Sequence, residues 1–285
     1  MTVRSLLAQG CDTLAVARVD TPVLDATLLL AHALGATKEK LLAALPDDVT
    51  EEAAESFHRM IERRRDGVPV SYIRGIKEFY GLTFRVDERV LVPRPDTEVL
   101  VDTALALAEA QPGIGRVLDA CTGSGCIAVA LAACAPRLEV HASDISADAL
   151  VVANENALSL LGRGIPLHHC DLLDGVPGRF DMIVSNPPYL STAEVDAMRA
   201  ARWPEPTLAL EGGVSGTEIA ARLIAAAPGR LEPDGWLLLE AAPGELGSLG
   251  AAMTAAGFAR IEVRQDLAGR DRVILGRLDG GGGHG

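Results

Sequence analysis

Two stretches of this sequence carry side chains whose type and order suit chemistry. The more specific is an apolar run, Phe180-Asp181-Met182-Ile183-Val184-Ser185, that leads straight into Asn186-Pro187-Pro188-Tyr189. Consecutive prolines are costly inside regular structure, so they mark a rigid loop at the carboxyl end of a buried strand. That is where open α/β sheets bind their ligands. An amide or base amino nitrogen is a poor nucleophile because its lone pair is delocalised. The Asn186 side-chain oxygen and the Pro187 backbone carbonyl can each accept one N–H of such a planar NH2 group. Held that way, the nitrogen faces an electrophilic methyl group and the charge that develops on it is stabilised. Pro188 stiffens the carbonyl's placement, and Tyr189 can cover the planar group. A proline-rich turn closing a strand is the plainer explanation, and the position and residue types count against it.

The second stretch is Asp119-Ala120-Cys121-Thr122-Gly123-Ser124-Gly125, placed where a strand ends and a helix begins. Glycines there let backbone approach a ligand closely. Further on, Asp144 ends the next strand, where a carboxylate can accept the hydroxyls of an adenosine ribose. Gly123-x-Gly125-x-x-Ala128 also satisfies the relaxed dinucleotide fingerprint, so hydride transfer stays open on this stretch alone.

The elements that must position these residues alternate. Strands are expected at Arg116–Cys121, Leu138–Asp144, Leu167–Leu172, Phe180–Ser185 and Trp236–Ala241. Helices are expected at Gly125–Cys134, Ser146–Leu160, Gly216–Ala227 and Leu246–Ala256. Arg260–Asp266 and Arg272–Leu278, joined through Gly269, read as a closing antiparallel hairpin. The fold class is therefore α/β, a mostly parallel, Rossmann-like sheet that ends in an antiparallel hairpin. That ending suits methyltransferases better than dehydrogenases. Residues 1–75 show helical spacing only. Phe79, Tyr80, Leu82, Phe84, Val86, Val90 and Val92 are β-formers around Gly81 and Asp87-Glu88, which predicts a linking hairpin over 76–93. Asp96 or Thr97 is expected to cap a helix running to about Ala110. The main domain would span 94–278, followed by a flexible Gly-rich tail over 279–285.

The chain has 285 residues, 48% of them hydrophobic, enough to bury a substantial core. No apolar run reaches the roughly 20 residues needed to cross a bilayer, and the first residues show no cleavable signal pattern, so a cytoplasmic protein without membrane contact is expected. The five cysteines are scattered with no Cys-x-x-Cys pair, which suggests neither a disulfide framework nor a zinc site. A net charge of −13 disfavours nucleic acid as a direct partner.

Taken together, these motifs resemble the HemK/PrmC family of protein-glutamine methyltransferases, over nearly the whole chain. The resemblance is carried by Gly67-Val68-Pro69, Tyr72-Ile73-Arg74-Gly75, Glu78-Phe79-Tyr80-Gly81-Leu82 and Val92-Pro93-Arg94-Pro95-Asp96-Thr97-Glu98. The Thr122–Gly125 loop, Asn186–Tyr189, Glu205-Pro206-Thr207-Leu208-Ala209-Leu210 with Gly212-Gly213, and Asp266–Arg272 follow in register. The resemblance implies S-adenosylmethionine as cofactor. Its implied substrate is the glutamine of the Gly-Gly-Gln loop in class 1 peptide chain release factors, methylated at the side-chain nitrogen. It implies that Cys121, Thr122, Gly123, Ser124, Gly125 and Asp144 hold the cofactor's methionine and ribose, that Asp171 and Leu172 border its adenine, and that Asn186, Pro187, Pro188 and Tyr189 bind the glutamine. It also implies that the helical domain over 1–75 docks the protein substrate. A monomer is expected. The sequence departs from the family at Ala120-Cys121, where Leu-Gly is usual, and at Ala241-Ala242-Pro243-Gly244, where the family has a glutamine. Cys121 must take negative φ or carry about 1–3 kcal/mol of strain.

Other residues invite functional readings. His168 and His169 fall on opposite faces of a strand and so are not expected to share a metal. Arg59, Arg63, Arg64 and Arg65 read as a solvated helix face. Arg94 and Glu98 are expected to roof the cofactor pocket. The rival activity is methylation of adenine N6 or guanine N2 in DNA or RNA, whose amino groups present the same planar shape; no module that interleaves basic and aromatic residues supports it.

Overall fold

Threonines start most of the N-terminal helices in this computed structural model, which describes residues Met1–Gly280. The side chains of Thr2, Thr37 and Thr50 accept the Ser5, Lys40 and Ala53 backbone N–H groups, capping α1 (Val3–Val16), α3 (Lys38–Ala43) and α4 (Glu51–Arg65). Helix α2 (Pro22–Ala33) starts on Pro22, whose missing N–H costs nothing there. With α5 (Val70–Arg74), these helices bury Leu6, Leu14, Leu29, Leu30, Leu41, Phe57 and Ile61 in one core. They form a unit of Met1–Ile76 joined by Arg202–Pro204. Arg59, Arg63 and Arg65 of α4 are exposed, as expected of a solvated face, and Arg64 departs from it. Arg64 donates to buried Asp25 at 2.6 Å, while Arg59 and Arg65 pair with Glu55 and Glu62 on their own helix.

The second unit holds Lys77–Ala201 and the chain from Glu205 onward. The hairpin is shorter than expected, with β1 at Ile76–Phe79 and β2 at Leu82–Arg85. Tyr80 and Gly81 both take positive φ between them, as a two-residue hairpin turn requires. Val86, Val90 and Val92 are buried without joining a strand. Asp87 accepts the Arg89 N–H and turns the chain there, and Pro93 and Pro95 bar a ladder beyond. A short 3-10 turn at Pro95–Thr97 leads into α6 (Glu98–Ala110), and neither Asp96 nor Thr97 caps it with a side chain. Both are engaged elsewhere.

The chain then runs β3 (Arg116–Ala120), α7 (Cys126–Cys134), β4 (Glu139–Asp144), α8 (Ala147–Leu161), β5 (Leu167–His169) and β6 (Phe180–Ser185). It continues through β7 (Leu190–Ser191), α9 (Thr192–Ala200), β8 (Glu211–Gly213), α10 (Glu218–Ala226), β9 (Leu231–Glu240), α11 (Leu246–Ala255), β10 (Phe258–Gln265) and β11 (Asp271–Leu278). Seven of the described strands form one sheet in the order β10-β11-β9-β6-β3-β4-β5. Neighbours are parallel except β11 against β9 and β10 against β11. Successive residues serve opposite faces. Val117, Met182, Val184, Trp236 and Leu238 pack with α6, α7 and the hairpin phenylalanines Phe79 and Phe84. Leu118, Ile183, Leu237 and Leu239 pack toward α10 and α11. Because helices cover both faces, these strands read as unbroken apolar runs. The chain leaves β3 toward β4 on one side and returns to β6 on the other, which opens a crevice at the carboxyl ends of β3 and β6.

Several elements differ from expectation. Strand β5 stops at His169 because Leu172 turns into positive φ. The small parallel pair β7–β8 and helix α9 have too few residues to show periodicity, although α9 carries the Ser191…Glu194 capping box in its sequence. His168 stacks on His141 with ring nitrogens 3.0 Å apart, and His169 reaches the Ile145 carbonyl instead. The tail from position 281 lies outside the described residues.

Asn156, fully buried on α8, ties three parts of this unit together. Its oxygen accepts the Arg85 N–H at 2.7 Å, and its amide N–H groups donate to the Arg85 and Ser124 carbonyls at 3.0 and 2.9 Å. The side chain thus docks the hairpin edge and the glycine loop on one helix. Asn156→Ala leaves three buried backbone groups unpaired and is expected to lower unfolding stability by about 3 kcal/mol in denaturant titration. A change under about 0.5 kcal/mol would mean that solvent satisfies those groups.

Candidate active site

The loop after β3 is shaped by a buried carboxylate. Asp119 accepts the Thr122 hydroxyl at 2.6 Å and the Ala128 N–H at 3.2 Å, and its other oxygen has no partner among the described residues. Burial pushes its pKa up to about 7. Thr122 and Ser124 are buried within the loop and are not among the residues lining the cleft above it. Cys121 takes φ +58°, the strained alternative of the two foreseen, and Gly123 and Gly125 also take positive φ. Asp144, at the end of β4, accepts the Gly123 and Ser146 N–H groups at 2.9 and 2.8 Å. Burial raises its pKa, opposed by those N–H bonds.

A cleft opens over this loop. Cys121, Gly123, Asp144 and Ile145 form one wall, Asn186 and Pro188 a second, and Arg89–Leu91 with Pro206, Leu208 and Ala209 a third. Asp171 and Leu172 are not on its walls. Asp171 is engaged by Arg222 at 2.6 Å, and the Leu172 carbonyl accepts the Ser143 hydroxyl.

A second cavity is lined by Leu91, Arg94, Pro187, Tyr189, Leu190, Met198, Ala209 and Leu210 as well as Asn186 itself. Asn186, with Leu91 and Ala209, therefore borders two spaces, one beside the Asp144 carboxylate and Pro188 and one beside Pro187 and Tyr189. Its Nδ2 donates to the Thr97 hydroxyl oxygen at 3.2 Å. The strand end beneath it is fixed by Ser185, whose hydroxyl donates to the Ala120 carbonyl at 2.7 Å and so joins β6 to β3.

Distant segments converge on the residues before α6. Arg94 pairs with Glu205, which is fully buried and also accepts the Val92 N–H. Arg94 thus lines the second cavity, while Glu98 bonds the Tyr80 N–H and lines neither, so the roof expected from these two residues does not form. Asp96 accepts from Arg272 at 2.8 Å and from Arg270 at 3.1 Å, and both arginines also bond Asp266. Nothing in the sequence signalled the roles of Thr97 and Glu205 in the site. Their partners lie about a hundred residues away, beyond any local signal.

Two glycines permit the Asn-Pro-Pro-Tyr loop to pack. A Cβ on Gly212 would overlap the Gly216 carbonyl oxygen and lie 2.6 Å from that of Pro188. Backbone on both sides cannot yield as a flexible side chain would. Gly212→Ala is expected to displace Pro188 and with it the wall of the first cleft, lowering kcat/KM by about tenfold or more. Unchanged kcat/KM would show that the loop tolerates the shift.

This arrangement can be set beside known proteins. The family model described as the PrmC N-terminal domain matches residues 5–75, and that described as the methyltransferase small domain matches residues 96–203. The chain is 41% identical over 286 residues to a release factor glutamine methyltransferase of Deinococcus radiodurans, covering 99% of this chain and 100% of that one. It is 40% identical over 280 residues to one from Cereibacter sphaeroides, covering 98% and 99%. Among solved structures, a methyltransferase from Pyrococcus furiosus is similar with a TM-score of 0.51 at 16% identity, covering 70% of this chain and 91% of that one, a likeness of fold. The mostly parallel sheet with its antiparallel closing hairpin is the class I methyltransferase fold. Matched end to end at this identity, the chain belongs to the release factor glutamine methyltransferase family.

Proposed function

We propose that this chain transfers the methyl group of S-adenosylmethionine to the side-chain amide nitrogen of the glutamine in the Gly-Gly-Gln loop of class 1 peptide chain release factors. The observation that carries this reading is the position of Asn186, whose side chain borders both cavities. The first cleft fits the cofactor on its own chemistry. The two Asp144 oxygens each retain a lone pair for a ribose hydroxyl, and Gly123 presents backbone where any side chain would intrude. When bound, the cofactor supplies an electrophilic methyl group on a sulfonium.

The chain's own residues do the rest. Asn186 and the Pro187 carbonyl accept the two N–H bonds of the glutamine amide, which orients its nitrogen and stabilises the positive charge it acquires. Pro188, whose own carbonyl packs close to Gly212, stiffens the loop that carries the Pro187 carbonyl. Tyr189 covers the planar amide; burial raises its phenol pKa and keeps it neutral. The helical unit serves to dock the protein substrate in this reading, and the exposed Val16, Val23 and Leu24 on it supply apolar contact surface. The protein works as a cytoplasmic monomer that engages no nucleic acid directly, a view supported by the net charge of −13. No helix among the described residues is long and apolar enough to cross a membrane.

The test offers methyl-tritiated S-adenosylmethionine to a release factor with an intact Gly-Gly-Gln loop, to its Gln-to-Ala variant, and to total nucleic acid. Label on the intact factor alone is expected, whereas label only on nucleic acid would replace this reading with base methylation. Asn186→Ala is expected to abolish turnover while leaving cofactor affinity within about threefold by calorimetry. Equal loss of both would reduce Asn186 to a structural role.

A further inference from the structure

Three segments pass from one cavity to the other, and each does so at a single residue. Along the first, Val90 lines the cleft beside Asp144, Arg94 lines the second cavity, and Leu91 lines both. Along the second, Leu208 belongs to the first space, Leu210 to the other, and Ala209 to both. The third is the Asn-Pro-Pro-Tyr loop, where Asn186 is the shared residue. The boundary between the spaces is therefore made of two apolar side chains and one amide.

Hydrogen bonds join the three segments pairwise into a closed ring. Buried Glu205 accepts the Val92 N–H at 3.0 Å and pairs with Arg94, which ties the second segment to the first. The Leu190 N–H donates to the Leu210 carbonyl at 2.9 Å, which ties the third to the second. Asn186 Nδ2 donates to the Thr97 hydroxyl oxygen at 3.2 Å, which closes the ring. Leu91 and Ala209 each stand one residue from an anchoring bond, and Asn186 makes one itself. Ala209 also lies in a short 3-10 turn, its N–H on the Pro206 carbonyl at 2.9 Å, so backbone sets its position.

We infer that Leu91 and Ala209 form with Asn186 a rigid frame around the line of methyl transfer, and that the two apolar side chains set its width. The inference rests on the proposed function for what meets inside the frame, but not for the frame itself. Transfer requires the reacting atoms to come within about 3–3.5 Å of each other and in line. A frame wider than a planar amide lets the nitrogen wander and admits water, which competes for the Asn186 and Pro187 acceptors. A narrower one holds the reactants apart. The Leu91 and Ala209 side chains carry no polar atom, so water between them would forfeit hydrogen bonds. Width is a property of the whole frame, so volume added at Ala209 and volume removed at Leu91 offset each other.

The experiment is a double-mutant cycle on the full-length enzyme with Ala209→Val and Leu91→Ala, read as kcat, KM for each reactant, and calorimetric affinity for S-adenosylmethionine alone. Each single variant is expected to lower kcat about 10- to 100-fold while leaving that affinity within about threefold. The two changes together are expected to restore kcat to within about threefold of native, because the added and removed volumes compensate across one opening. Leu91→Val, which removes one methylene, replaces Leu91→Ala in the cycle if thermal unfolding shows that the alanine variant does not fold. Losses that multiply in the double variant would overturn the inference, as would a fall in cofactor affinity equal to the fall in kcat, or native kcat in Ala209→Val. The cycle is read on whichever acceptor takes the methyl label, so a nucleic-acid acceptor would sink the glutamine reading while compensation in the cycle still upheld the frame.

Discussion

The segment Arg94-Pro95-Asp96-Thr97 is seized at three consecutive polar positions by three distant parts of the chain, and the site depends on that grip. Glu205 takes Arg94, Arg270 and Arg272 take Asp96, and Asn186 takes Thr97. Such contacts contribute modestly to stability. Asp96 and Arg270 are well exposed, and pairs of that kind are worth about 0–1 kcal/mol, while burying Glu205 and Arg272 carries a desolvation penalty that the pairing only offsets. Their value lies in specificity. Each pairing has one geometry, and together they place the proline-stiffened turn against the end of β6 without relying on apolar packing, which would slide. The crevice between β3 and β6 would exist in any such sheet. It becomes two spaces that share Asn186 on their walls only because this turn, the Asn-Pro-Pro-Tyr loop and the β8 glycines are locked around it.

What the sequence made legible follows from the range of the forces involved. Asn186–Tyr189, Gly123–Gly125 and Asp144 could be found because each is a local pattern at the end of a predicted strand, and the strands themselves were plain as apolar runs. Thr97 illustrates the other case. Its place at a helix start suggested capping, yet its hydroxyl oxygen accepts from the Asn186 side chain, 89 residues further along the chain. Asp171 was placed beside the cofactor by resemblance, but Arg222 on α10 captures its carboxylate, and no periodicity within the Asp171 segment foretells that. Arg64 is similar, since the basic run hides that one of its members faces Asp25. Long-range charge pairing is a property of the fold, so it cannot be read from spacing.

The cofactor loop shows how a local rule can be broken where the surroundings allow it. Cys121 occupies a left-handed backbone position that favours glycine, at a cost of about 1–2 kcal/mol. The flanking positions leave it little choice. Ala120 is the last paired residue of β3, and the Thr122 N–H is bound to the Ser143 carbonyl at 3.0 Å, so the turn must be completed within one residue. A thiol at this place raises a chemical problem as well as a steric one, because a thiolate on the cleft wall would compete with the substrate nitrogen for the methyl group. Burial raises the Cys121 pKa strongly, and the nearby Asp144 carboxylate raises it further. Both effects keep sulfur protonated and weakly nucleophilic. The Asp144 carboxylate therefore also quiets the soft nucleophile on that wall, which explains how the cleft can hold a cysteine at a backbone position that favours glycine.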